Sequence, residues 1–242
     1  MHPRSLVVDD VAGWAEALLA GRRRVLEVGC GRGELARRLG RAGWALTALD
    51  RRLRDAEPAP GVRWVEADFL SFDDEPYDAL VFTATLHHLH PLERAIERSA
   101  DLLAPGGLLL VDDFDLEAPD AETLRWYYEA QELLIAAGLY PPERLDGEPD
   151  GDPRERWRAG HAHEPPLSRG DEMLAAIGAR FEPLSIERGP YLARYVISGL
   201  AADERGARIA GHLLAHERRR LAANALRAVG LRVVARRRTP PR

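Results

Sequence analysis

The run Val25-Leu26-Glu27-Val28-Gly29-Cys30-Gly31-Arg32-Gly33 sets an acid and three alternating glycines at the end of a short apolar segment. Glycines in that place let a ligand lie against bare backbone, with amide N–H groups aimed at it as a helix begins. Asp50 follows Gly29 by 21 residues and closes the next apolar run. A carboxylate there can accept from both hydroxyls of a ribose. Together the turn and the acid point to an adenosine-containing cofactor at the carboxyl ends of parallel strands. A dinucleotide fits less well, because Gly-x-Gly-x-x-Gly would need glycine where Glu34 stands. Glu27 is costly inside an apolar strand unless it has a purpose, a plain alternative being a helix-terminus or salt-bridge role.

Two further constellations could do chemistry. His87 and His88 follow the fourth apolar run, and imidazole is a suitable base near neutral pH. The alternative is a loop that packs one ring and exposes the other. His161-x-His163 has no acidic or cysteine partner at ligand spacing, so no metal site is expected. Cys30 is the only cysteine, which excludes an internal disulfide and fits a small filler between glycines. All 34 basic residues are Arg, so lysine Schiff-base and lysine general-base chemistry are excluded.

The elements that must position these residues follow from periodicity. Val7, Val11, Trp14, Ala15, Leu18 and Leu19 form a helical stripe over 7–20 that Gly21 closes. Strands are predicted at 24–28, 45–49, 62–65, 77–83 and 108–111, with helices at 34–39 and 91–103. Such alternation implies βαβ units and a parallel sheet. Pro58 and Pro60 leave room for only a short or irregular link between strands two and three. Beyond Phe114 a helix over 121–137 carries Trp126, Tyr127 and Tyr128. The segment 140–167, rich in Pro, Gly, Asp and Glu, reads as a long loop or lid. A helix over 169–179 follows, then strands at 181–187 and 191–198 joined as a hairpin around Gly189-Pro190. A long helix over 203–229 and a short strand over 231–234 finish the pattern.

Glu27-x-Gly29-x-Gly31-x-Gly33 resembles the first motif of class I S-adenosylmethionine-dependent methyltransferases. The likeness continues in order through Asp50, Asp68-Phe69, Tyr77-Asp78-Ala79-Leu80-Val81, Leu86-His87-His88-Leu89 and Pro105-Gly106-Gly107. It covers roughly residues 25–111 and is nearest the small-molecule branch that includes quinone-biosynthesis enzymes. The resemblance implies a Rossmann-like, mostly parallel seven-stranded sheet with helices on both faces and an antiparallel last strand. It also implies S-adenosyl-L-methionine as cofactor and methyl transfer to a small organic acceptor. Glu27 and the Gly29, Gly31 and Gly33 backbone would lie near the methionine end, Asp50 on the ribose, and Asp68 with Phe69 at the adenine. Cys30, Arg51 and Thr83 complete the positions expected to touch the cofactor. Asp112-Asp113 stand where metal-dependent O-methyltransferases place carboxylates, without the rest of that pattern.

The expected organisation is a single methyltransferase domain over 1–242. Its core covers 22–115 and 168–200, its cap 119–167, and its C-terminal extension 203–242. From position 203 onward there are 11 Arg against Asp203, Glu204 and Glu217, a balance of +8 within a net charge of −5. That basic region could meet an acidic partner or pack on the acidic body. Two alternatives follow: a cofactor-binding but inactive interaction module, and a nucleic-acid methyltransferase using the Arg-rich region. The second is disfavoured because Thr83-Ala84-Thr85-Leu86 stands where an Asn/Asp-Pro-Pro-Tyr signature would fall. No run of 18 apolar residues is present, which excludes a membrane-spanning helix, and a cytoplasmic chain is expected, as a monomer or homodimer; the small-molecule partner is what the resemblance implies.

Overall fold

The computed structural model describes residues 2–54, 57–145 and 151–238. Among them seven strands form one sheet: β1 (Arg24–Val28), β2 (Ala45–Asp50), β3 (Val62–Glu66), β4 (Tyr77–Thr83), β5 (Leu103–Phe114), β6 (Phe181–Gly189) and β7 (Gly230–Arg237). Their order is β3-β2-β1-β4-β5-β7-β6, and the pairs β3–β2, β2–β1, β1–β4 and β4–β5 are parallel. The winding reverses beside β1, so the ends of β1 and β4 flank a switch point, where open α/β sheets bind ligands. The helices are α1 (Ser5–Leu19), α2 (Glu34–Arg41), α3 (Leu92–Leu102), α4 (Ala121–Ala136), α5 (Pro153–Gly160), α6 (Gly170–Arg180), α7 (Leu192–Ile197) and α8 (Glu204–Ala222). No helix of the described residues is long and apolar enough to cross a membrane.

Successive side chains of a strand face opposite ways, and both faces of this sheet are covered. Leu26, Val28, Leu80 and Phe82 pack with Ala95 and Ile96 of α3 and Met173 and Ile177 of α6. Val25, Ala79 and Val81 pack on the other side with Val11, Ala15 and Leu19 of α1 and Leu35 and Leu39 of α2. Burying each such aliphatic side chain contributes roughly 1.5–3 kcal/mol, which makes the strand tips a firm platform.

The chain divides into two compact units. One comprises Val8–Phe114, Ser168–Glu187 and the chain from Leu231 on. The other comprises the N-terminal residues up to Val7, Asp115–Leu167 and Arg188–Gly230.

Several elements differ from expectation for physical reasons. The strand expected at 191–198 is the helix α7, whose first amides are held by a distant carboxylate: Glu217 accepts from the N–H groups of Tyr191, Leu192 and Ala193 at 2.8, 2.9 and 3.0 Å. The partner of β6 in the sheet is therefore β7. β5 begins at Leu103, and Pro105-Gly106-Gly107 lies within it as a bulge, with Tyr77 opposite Leu103 but Ala79 opposite Leu108. Part of the expected 140–167 loop is α5, capped by the Asp152 carboxylate with Pro153 at its start. Positions 146–150 of that loop and 239–242 of the expected extension lie outside the described residues. α8 stops early because Asn224 adopts φ 55, a left-handed cap.

Candidate functional site

After β1 the chain turns through Gly29, Gly31 and Gly33, with φ of 71, 56 and 68, a region where side chains are strained. The N–H groups of Gly29 and Cys30 both donate to the Leu49 carbonyl, at 2.8 and 3.0 Å. That of Gly31 donates to Asp50 Oδ2 at 2.8 Å, and that of Arg52 to Oδ1 at 3.1 Å. The turn is thus pinned to the tip of β2. A Cβ on Gly29 would overlap the Thr85 side chain, and one on Gly33 the Trp64 ring. Beside Gly31 the space is open.

That space belongs to a cleft of about 490 Å³ lined by Gly29, Gly31, Asp50, Phe69, Thr85 and His88, among others. The volume lies within the ~300–1,000 Å³ usual for small-molecule sites. Of the residues expected to touch a cofactor, Gly29, Gly31, Asp50, Arg51 and Phe69 line it, as does His88. Glu27, Cys30, Gly33, Asp68, Thr83 and His87 are not among its lining residues.

Each of these has a place nonetheless. Glu27 is buried in β1, and its carboxyl takes the Ala36 amide in the first turn of α2, where Gly33 as N-cap has no side chain to do so. Its Oε2 has no hydrogen-bond partner. Burial, aided by nearby Asp50, pushes its pKa up to about 8. Burial likewise pushes the Cys30 thiol up to about 12, where it is inert as a nucleophile. Asp68 Oδ1 accepts from the Leu70 N–H at 2.9 Å, which is the turn-capping alternative, while Oδ2 faces Arg51 Nε at 3.5 Å. Phe69 is buried, edge-on to Phe82 at 5.5 Å. Thr83 Oγ1 is buried without a hydrogen-bond partner.

The two histidines separate cleanly. His88 is exposed at the cleft wall, whereas His87 is buried with its Nδ1 2.6 Å from Asp113 Oδ1. Asp112 faces the Arg232 Nε at 2.7 Å. Among the described residues no group of three or more His, Cys, Asp or Glu is placed to hold a metal ion.

Thr85 and Ala84, also in the wall, escaped the sequence reading. Thr85 Oγ1 donates to the Thr83 carbonyl at 2.9 Å and its side chain fills the place a Gly29 side chain would need. Ala84 has φ 49, a strained position that its residue type does not advertise. Backbone without side chains, open space at Gly31 and a carboxylate on the next strand tip suit a ligand carrying a vicinal diol.

Comparison with known proteins agrees. The family model described as a methyltransferase domain matches residues 8–144. An uncharacterized methyltransferase of Mycobacterium tuberculosis is 37% identical over 102 residues, covering 39% of this chain and 52% of that protein. The 2-phytyl-1,4-naphtoquinone methyltransferase of Nostoc punctiforme is 31% identical over 131 residues, covering 48% and 55%. The chain therefore spans about half the length of the curated relatives it matches. Among solved structures, the N-methyltransferase NodS from Bradyrhizobium japonicum WM9, in complex with S-adenosyl-L-homocysteine, superposes with a TM-score of 0.52 at 16% identity. The match covers 96% of this chain and 87% of that one, a likeness of fold.

Proposed function

The chain belongs to the methyltransferase-domain family, and on that premise we propose that it transfers a methyl group from S-adenosyl-L-methionine to a small organic acceptor. The observation that carries this reading is the cleft beside Gly31, whose floor is backbone amide and whose rim is the Asp50 carboxylate. When bound, the cofactor supplies a methyl group on a sulfonium, displaced in line by a nucleophile. The residues present fit it. Gly29 and Gly31 offer backbone and space to its methionine end, Asp50 has lone pairs beyond the Gly31 and Arg52 bonds for the ribose hydroxyls, and Phe69 gives the base an apolar wall. Glu27, Gly33 and Cys30 hold the turn in shape, Asp68 and Thr83 set the loops after β3 and β4, and Arg51 stands at the rim.

The chain's own task is to position a nucleophile and exclude water, since the donor is already reactive. His88 is the imidazole at the cleft wall. The Nostoc relative, by its name, acts on a phytyl-bearing naphthoquinone, which supports an aromatic acceptor here. We place the chain in the cytoplasm, as a monomer or homodimer with a small-molecule substrate.

Calorimetry with S-adenosylhomocysteine tests the reading. The parent should bind, and Gly31→Val, which fills open space, should lose at least 100-fold in affinity while keeping the far-ultraviolet spectrum of a folded protein. Equal affinities would remove the cleft from the account.

A further inference from the structure

We propose that Asp113 is a positioning residue that, through His87, holds His88 as proton acceptor for the transfer, so that the substrate is a weak O–H acid of the phenol class. This rests on the methyl-donor reading of the cleft.

The geometry centres on the 3-10 turn Leu86–His88, between β4 and α3. The Asp113 carboxylate is fully buried. It takes the ring of His87 at 2.6 Å and the backbone N–H of the same residue at 3.3 Å, and its Oδ1 also accepts from the Phe114 N–H at 2.9 Å. The Ser168 N–H donates to the His87 carbonyl at 2.9 Å, and the Phe114 ring stands edge-on to the imidazole at 4.8 Å. His87 is thus fixed at its ring, its amide and its carbonyl. The His88 ring lies against it, with centroids 4.0 Å apart and planes 41° apart, and borders the cleft.

An aspartate at this turn also brings a charge close to the cleft. The neighbouring Asp112 is matched by the Arg232 guanidinium, but the ring partner of Asp113 is an imidazole. A sealed carboxylate is expensive, and here both oxygens accept, Oδ1 from the Phe114 N–H and Oδ2 from the His87 N–H, which the single oxygen of an amide would not do. One ring away from the cleft, its negative charge favours the imidazolium that forms when His88 takes a proton.

In the step, an oxygen lone pair of the acceptor forms the O–CH3 bond as the C–S bond breaks, and that electron pair stays on sulfur. The acceptor O–H proton passes to a ring nitrogen of His88 and then to solvent. The positive charge of the sulfonium reappears on the imidazole, so atoms and charge balance. A weak acid needs such a base, whereas a nucleophile already ionised does not.

The test uses the full chain, S-adenosylmethionine and two probes: 4-methoxyphenol, protonated at neutral pH, and 4-nitrothiophenol, present there as thiolate. His88→Gln and Asp113→Asn should each lower turnover of the phenol by about 10²–10⁴-fold, and that of the thiolate at least ten-fold less. Equal losses on both probes would mean a structural role only, and a parent that methylates the thiolate but not the phenol would overturn the acceptor class. Long-range proton–nitrogen spectra give a readout independent of turnover. His87 should carry its proton on Nδ1 in the parent, and Asp113→Asn should change the ring signals of both histidines. Unchanged His88 signals would overturn the inference even if neither probe reacts. A parent that fails to bind S-adenosylhomocysteine would instead overturn the underlying methyl-donor reading.

Discussion

A carboxyl sealed behind the glycine turn makes stability depend on pH in a definite direction. Glu27 titrates near pH 8 in the folded chain against an ordinary value of 4.5, because burial disfavours its charged form. Between those values the folded state holds a proton that the unfolded state has released, so stability falls as pH rises from 4.5 through 8 and levels off above. At about 1.4 kcal/mol per unit, the loss amounts to roughly 4–5 kcal/mol. Glu27→Gln keeps the neutral shape and should flatten this slope, so that in urea unfolding the gap between variant and parent is wider at pH 8.5 than at pH 6 by roughly 2–3 kcal/mol. Parallel curves would mean that the carboxyl is not sealed. At this scale the glycines and Asp50 were legible, because backbone freedom and a strand-tip acid leave a mark in residue type. That one of His87 and His88 would be packed and the other exposed was legible as an alternative, but which one was not, since both imidazoles have the same sequence context and only packing against Phe114 and Asp113 buries His87. Ala84 carries no mark of its left-handed backbone at all.

At the scale of elements, α7 depends on one side chain from α8. Glu217 is buried and satisfies three amides that begin a helix of six residues. Burial pushes its carboxyl above the usual range while those amides and Arg194 pull it back. Glu217→Ala strands three donors and should cost about 3 kcal/mol or more in denaturant unfolding, with Glu217→Gln, which keeps one acceptor oxygen, losing less. Equal, small losses would show that α7 stands without this anchor. The same contact explains why Tyr191, Tyr195, Val196 and Ile197 read as a strand: local preference for extended backbone yields to a partner more than twenty positions away. Residues 103–107 show the other failure, because a Pro-Gly-Gly signal for a turn is also the signal for a bulge within a strand. The five parallel-sheet strands and their helices were legible because period-2 and period-3.6 patterns are local. α5 was legible in principle through Asp152-Pro153, but composition outweighed the cap.

Across the molecule, the basic C-terminal stretch has much of its charge answered from within the chain. Arg232 reaches Asp112 of β5 at 2.7 Å and Asp10 of α1 at 2.6 Å, and lies 5.1 Å over the Trp14 ring. Arg236 pairs with Glu182, Arg237 donates to the Leu103 carbonyl, and Arg238 to those of Phe181 and Gly178. Arg232→Ala leaves the buried Asp112 carboxylate without its guanidinium and should cost about 3–5 kcal/mol, whereas Arg236→Ala at an exposed pair should cost less than about 1. Similar losses in urea unfolding would mean that the tail is not an internal tie. The account as a whole turns on what occupies the space beside Gly31. A crystal structure of the chain grown with S-adenosylhomocysteine should place the nucleoside there, with both ribose hydroxyls about 2.6–3.2 Å from the Asp50 carboxylate. The same crystal with that carboxylate turned away, or with the ligand elsewhere, would contradict it.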